Sequence, residues 1–247
     1  MQIKLTNVNK SFYNSKEETD VLKNINIEID KGQIVAIVGP SGCGKSTLLN
    51  LISGLIKPDE GSIQVDGKIG YMFQKDNLLE WRNVYKNITI GPEIMHIKES
   101  EESIDSILKK YGLYDFKYHF PKELSGGMKQ RVALIRTLIL NPDILLLDEP
   151  FSSLDYQSKI IVQEDIYKII QSEKKTTILV THDITEAIAM ADIVYVLTSR
   201  PSTIKKRFNI DLEMNKEEKT PLSARKSKKF QDYFSLIWKE LDFTNLN

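Results

Sequence analysis

The chain has 247 residues, with 34 Lys+Arg against 34 Asp+Glu and a single cysteine. That length can bury one large core with a small appendage, and the charge balance argues against a general nucleic-acid binder, which needs basic excess. Cys43 alone excludes an intrachain disulfide and fits a reducing compartment; there is no N-terminal signal pattern, and no apolar run approaches the roughly 20 residues that span a bilayer.

Near the start, "IKLTNVN" and then "INIEID" alternate apolar with polar residues and predict half-buried strands. "QIVAIVG" is a short β-branched run ending in glycine, the pattern of a fully buried strand. It leads into Gly39-Pro40-Ser41-Gly42-Cys43-Gly44-Lys45-Ser46-Thr47, which satisfies G-x-x-x-x-G-K-[ST]. The glycines let backbone N–H groups wrap closely around phosphate oxygens. Lys45 supplies a point charge for the β- and γ-phosphates, and Ser46 offers a hydroxyl to Mg²⁺. A plain strand–helix turn has no need of lysine and serine at those places. Cys43 lies where a helix N-terminus lowers a thiol pKa; the expectation is a bystander whose labelling reports nucleotide occupancy. "STLLNLISGL" has helical spacing and closes near Gly54. "SIQVDGKIGYMF" predicts a hairpin turning at Asp66-Gly67. Gln74 follows, and two readings stand level there: a polar strand terminus, or a contact to Mg²⁺ or water.

From Glu99 to Gly112, the spacing of Ile104, Ile107, Leu108 and Tyr111 predicts an amphipathic helix ended by a glycine cap. "ELSGGMKQR" then places Ser125, Gly126 and Gly127 at a helix start whose bare N–H groups can hold an anion. The chain therefore carries two anion cradles but one cradle lysine. "ILLLDEP" sets two carboxylates at the end of a buried strand, where a parallel sheet binds its ligands. Asp148 can hold Mg²⁺, while Glu149, one residue on, points elsewhere and can polarise a water. His182 ends "TTILVTH". A lone histidine there is more often a structural hydrogen-bonder, but a strand beside the acidic one favours catalysis. With "IVYVLTS", strands alternating with helices predict an α/β fold, a largely parallel sheet with helices on both faces. Residues 213–229, "EMNKEEKTPLSARKSKK", predict a solvated charged linker. Beyond it Phe230, Tyr233, Phe234, Ile237, Trp238 and Leu241 predict a terminal amphipathic helix packed on the main domain. No internal repeat is present.

The order "GPSGCGKST", Gln74, "LSGGMKQR", "ILLLDEP", "SSLD" and "THD" resembles the nucleotide-binding domains of ATP-binding cassette (ABC) transporters over nearly the whole chain. The resemblance implies an ABC-type P-loop NTPase with an antiparallel β portion and a helical subdomain at about 75–140. This ATPase domain would span 1–212, and 213–247 would be linker and C-terminal helix. It implies that Leu124, Ser125, Gly126, Gly127 and Met128 form the signature, that Phe12 stacks on adenine, and that Gln74 joins Ser46 and Asp148 at the metal. Glu149 would orient water, His182 would hold the γ-phosphate side, and Asp155 would link the two sites of a homodimer. Each ATP would lie between Lys45 of one subunit and Ser125-Gly126-Gly127 of the other.

"MFQKDNLLEWRNVYKNI" and "SRPSTIKKRFNIDL" are similar to the subgroup importing nitrate, sulfonates and taurine. Glu80 departs from its pattern, which has proline before the tryptophan at Trp81. The implied setting is a MgATP-driven homodimer held at the cytoplasmic face of the cell membrane by an integral permease. An extracytoplasmic solute-binding protein would be an indirect partner, and nucleic acid none. The alternatives are the ATPase of an exporter, a non-transport ABC protein, or a nucleotide switch that scarcely hydrolyses. Repair proteins of that superfamily carry long coiled coils between phosphate loop and signature; only the short helical region around Glu99–Gly112 lies in that interval here.

Overall fold

The computed structural model describes residues 1–13, 18–98, 100–215 and 218–241. Its first strands are β1 (Ile3–Tyr13), β2 (Glu18–Ile29) and β3 (Ile34–Val38); helix α1 (Lys45–Ile52), β4 (Glu60–Val65) and β5 (Ile69–Met72) follow. Four α-helices come next among the described residues: α2 (Val84–Ile88), α3 (Ile90–Ile94), α4 (Glu101–Lys110) and α5 (Gly126–Leu138). Then β6 (Ile144–Asp148), α6 (Tyr156–Ser172), β7 (Thr176–Thr181), α7 (Ile184–Met190), β8 (Ile193–Leu197) and β9 (Ile204–Asn209) alternate, and α8 (Pro221–Ala224) and α9 (Lys228–Leu241) close the described chain.

The main sheet has the order β5-β6-β7-β3-β8-β9, parallel except for the antiparallel edge pair β8/β9. A second, antiparallel sheet has the order β2-β1-β4. Every residue of β3, β6, β7 and β8 is buried. Alternate side chains of these strands point to opposite faces, and so they feed two cores. Ala36, Val38, Leu145, Leu147 and Leu179 join the core beneath α5, α6, α7 and α9. Val35, Ile37, Leu146, Ile178 and Val180 join the core shared with α1 and with Leu5, Ile25 and Ile27 of the antiparallel sheet. The second face is thus covered by one helix and a sheet, where the sequence predicts helices on both faces.

The predicted hairpin at Asp66-Gly67 does not form. β4 pairs antiparallel with β1, while β5 pairs parallel with β6 in the other sheet. The turn between them is a crossing: Asp66 N–H donates to Gln2 O at 2.9 Å, and Lys68 N–H donates to Asp143 Oδ2 at 2.8 Å. Alternating apolar residues fit either sheet, so the pattern alone does not choose the partner.

Glu99 lies outside the described residues. Helix α4 is capped by Ser100, which accepts from Ser103 N–H at 3.1 Å, and Gly112 beyond its end has φ +67°. At the C-terminus the stretch 213–229 is not solvated throughout. Apart from residues 216 and 217, which lie outside the described residues, it folds back on the domain. Pro221 and Ala224 are buried, Leu222 N–H donates to Glu164 Oε2 at 3.1 Å, and Arg225 donates to Gln163 Oε1. Contacts from Arg225 and the Leu222 backbone to α6 hold it there, which charge density along a sequence does not reveal. Helix α9 then packs on α7 and β8 through Phe230, Ile237 and Leu241.

Candidate active site

Strand β3 ends at Val38, and α1 begins at Lys45. The loop between them crosses the left-handed region at Gly42 (φ +74°) and Gly44 (φ +112°). A Cβ at Gly44 would come within 2.7 Å of Val21 Cγ1, so the backbone lies directly on β2. No side chain caps α1 and its first turn holds no acid. By contrast α4, α5, α6 and α7 are capped by Ser100, Ser125, Asp155 and Asp183. The N–H groups of α1 are therefore left for an anion.

Lys45 is 6% exposed, and its ammonium donates to Gly39 O at 2.9 Å and Pro40 O at 3.0 Å. Ser46 Oγ donates to Asp148 Oδ1 at 3.1 Å, across from the end of β6. Burial, with Glu149 as like-charged neighbour, pushes the Asp148 carboxyl above the usual carboxylate range. Tyr71, beside it, has its phenol pushed up by burial and by Asp148, and donates to Asn50 Oδ1 at 3.1 Å.

Glu149 follows with φ +44°, an uncommon conformation for a non-glycine residue, held by its N–H on Val180 O at 2.9 Å. This backbone turn points the Glu149 side chain away from Asp148. Gln74 Nε2 donates to Glu149 Oε2 at 3.1 Å, and His182 Nδ1 lies 3.2 Å from the same oxygen. Gln74 comes from the end of β5, Glu149 from β6 and His182 from β7; adjacent parallel strands present them at one edge. A cleft of about 720 Å³ is lined by the loop from Gly39 to Thr47 except Cys43, and by Gln74, Glu149, His182, Arg200 and Leu241. That volume suits a cofactor-sized ligand.

The structure corrects the reading of Cys43. Its side chain is 1% exposed and turns under the loop, and burial pushes the thiol pKa up rather than down. Arg200 and Ser202 were not singled out from the sequence. Arg200 Nε donates to Gly42 O and Ser202 Oγ donates to Cys43 O, so the "SRPST" segment braces the loop from 158 and 159 residues away. No local spacing announces such a contact. Lys23 N–H donates to Ser202 O at 2.8 Å and ties the same brace to β2.

Other predicted residues lie elsewhere. Phe12 is 44% exposed on β1, with the Lys10 ammonium 5.5 Å from its ring centre, and is not in the cleft lining. Ser125 caps α5 by accepting from Met128 N–H at 3.3 Å. A Cβ at Gly127 would meet Val162 Cγ2 at 2.9 Å, so this helix start packs tightly on α6. Leu124 is buried and Met128 half-buried, and among the described residues none of Leu124–Met128 lines the cleft. Asp155 caps α6, accepting from Gln157 and Ser158 N–H, each at 3.1 Å. Trp81 is 74% exposed. Among the described residues no helix is long and apolar enough to cross a membrane.

The family description "ABC transporter" matches residues 22–152. The nitrate import ATP-binding protein NrtD of Synechocystis sp. is 40% identical, over 88% of this chain and 85% of that protein. The aliphatic sulfonates import ATP-binding protein SsuB of Bacillus cereus is 36% identical, over 100% of this chain and 98% of that protein. Among solved structures, a dimeric post-hydrolysis state of the ATP-binding cassette MJ0796 bound to ADP and Pi superposes with a TM-score of 0.73. It is 32% identical, over 85% of this chain and 99% of that chain. With loop, acidic strand end and histidine gathered in one cleft, the chain belongs to the ABC transporter family and is one of its ATPases.

Proposed function

We propose that the chain is the ATP-hydrolysing subunit of an importer for a small solute of the nitrate, sulfonate or taurine class, working as a homodimer with two shared ATP sites. The observation that carries the chemistry is the meeting of Gln74 and His182 on one oxygen of Glu149, beside the loop that holds Lys45. ATP binds with its phosphates on the loop N–H groups and the Lys45 ammonium. Glu149 accepts a proton from the attacking water, and His182, on the same carboxylate, stands at the γ-phosphate side. Fixed charges and dipoles placed before reaction supply most of the rate enhancement.

The residues present fit Mg²⁺. Ser46 Oγ and Asp148 Oδ1 are hard oxygen donors 3.1 Å apart, and a cation there would restore the charge that burial disfavours on Asp148. Gln74 donates its amide N–H to Glu149 and keeps its amide oxygen for the metal. Bound Mg²⁺ neutralises charge on the phosphate oxygens.

The importer reading draws on the relatives' names and on the subgroup's sequence pattern around Trp81. Trp81, Ile94 and Met95 are exposed apolar side chains, and the Arg82–Glu93 ion pair at 2.5 Å brings their two segments together. This patch docks an integral membrane permease, which places the chain peripherally at the cytoplasmic face; a solute-binding protein acts through that permease. In the homodimer Phe12 stacks on adenine, Leu124–Met128 cover the partner's ATP, and Asp155 links the two sites.

The test is Glu149→Gln, which keeps shape and removes the charge. ATP binding should persist while turnover falls at least about a hundredfold. Equal loss of binding and turnover would assign Glu149 a structural role.

A further inference from the structure

His182 is 58% exposed and its side chain meets Glu149 at 3.2 Å. With so much of the ring in solvent, packing does little to orient it. Its place is set by the backbone of residues 181–183, and that backbone is anchored by a part-buried charged cluster outside the cleft lining. Thr181 Oγ1 donates to Glu186 Oε2 at 2.5 Å and accepts from Asp183 N–H at 3.0 Å. Asp183 Oδ1 accepts from Thr185 N–H at 2.8 Å and caps α7. Both residues flanking His182 therefore end on carboxylates.

One ammonium bridges those carboxylates. Lys159 Nζ lies 2.8 Å from Asp183 Oδ2 and 2.5 Å from Glu186 Oε1. The Lys159 side chain is 17% exposed and that of Glu186 only 3%. Arg225 is a further cation close by, but its guanidinium donates to Pro221 O and Gln163 Oε1. Lys159 sits one turn into α6, with its N–H on Asp155 O at 2.9 Å. Without its charge, a buried carboxylate and a helix-capping carboxylate face each other with no bridge, which breaking a buried pair makes costly.

We propose that Lys159 is a positioning residue for hydrolysis. It holds the Thr181–Asp183 turn so that His182 stays against Glu149, and it ties that turn to the helix that Asp155 opens. The proposal rests on the reading of His182 as a group acting at the γ-phosphate side.

The test is steady-state ATPase kinetics on the full chain, with bound nucleotide counted so that rates refer to folded sites. Lys159→Met should lower kcat at least about tenfold, inside the roughly hundredfold that a 1 Å misplacement costs. KM for ATP should stay close to its original value, and Lys159→Arg should restore kcat. In a His182→Ala background Lys159→Met should lower kcat no further, because its effect passes through the histidine. Full kcat in Lys159→Met, or an additive loss in the double variant, overturns the proposal. So does a parallel loss of nucleotide sites and rate, which marks a general folding role. If His182→Ala alone keeps full kcat, the reading of His182 fails first and the proposal with it. Should Lys159→Met not fold, Lys159→Met with Glu186→Gln removes the stranded carboxylate; a lowered kcat with KM kept supports the proposal, and an unchanged kcat overturns it.

Discussion

Cys43 and Glu149 sit at the two ends of the same problem, the direction a side chain takes from a tight loop. At Cys43 the sequence supplies a thiol at a helix N-terminus, and the field there favours thiolate. The loop instead turns the sulfur inward, against Gly39 and beneath Ser202, where desolvation outweighs that field. A maleimide should therefore label Cys43 slowly in the folded protein at neutral pH, at one rate with or without MgATP. The chain unfolded in urea should label fast. Rapid native labelling that MgATP slows would show the thiol to be outside the core. At Glu149 the sequence gives the two adjacent carboxylates, and neighbours on an extended strand point opposite ways. The left-handed φ of +44° adds what no motif carries: it sends Glu149 to Gln74 and His182 while Asp148 stays at Ser46. Such a conformation costs of order 1–3 kcal/mol and persists where the surroundings hold it. Residue types at the site were legible because phosphate chemistry demands them. The braces Arg200 and Ser202 were not, because they donate to loop carbonyls across the fold and many donor side chains can do so.

Among the elements, α9 shows what periodicity can and cannot say. Its apolar residues at helical spacing mark one face, and that face does pack on α7 and β8. Depth along the face is uneven. Ile237 is fully buried, while Trp238, stacked on Phe234 with ring centres 5.8 Å apart, is 51% exposed. Ile237→Ala should then cost about 2–5 kcal/mol of unfolding free energy, the range for buried aliphatic truncations. Trp238→Ala should cost clearly less, although it removes more atoms. Urea titration of both variants checks this, and a larger loss at Trp238 would mean that the helix sits rotated on the domain. The strands give the complementary lesson. β3, β6, β7 and β8 were legible from short apolar runs, closed by Asp148 in β6 and flanked by threonines in β7, because a strand buried on both faces has no solvent-facing side to alternate with. β4 and β5 were legible as strands but not in their pairing, which depends on which sheet edge is free, a property of the assembled fold.

For the whole molecule, the two cradles remain apart. Lys45 and the uncapped start of α1 form the floor of the cleft, whereas Ser125 and its glycines start α5 against α6 and, among the described residues, stay outside the cleft lining. The sequence marks both helix starts as cradle candidates; whether folding brings them together is a matter of distance between α1 and α5 in space, and Ser125 already caps the second. In the homodimer proposed above, the second cradle would come from the partner. Lys45→Ala and Ser125→Arg, each in a Glu149→Gln background so that bound ATP persists, separate the possibilities. Either variant alone should fail to form an ATP-dependent dimer, because each of its two sites lacks one cradle. In a mixture, one site of the mixed dimer combines both lesions, while the other pairs an intact Lys45 with an intact Ser125 from the opposite chain. Dimer and trapped ATP should then reappear only in the mixture, at no more than one ATP per dimer. Equilibrium sedimentation is the suitable measurement, because a dimer held by a single site can come apart during chromatography. If the cradles met within one chain, no mixture could rebuild a whole site. Absence of any ATP-dependent dimer in the mixture, while the Glu149→Gln parent dimerises, would remove the shared site from the mechanism and leave Ser125 as the cap of its own helix.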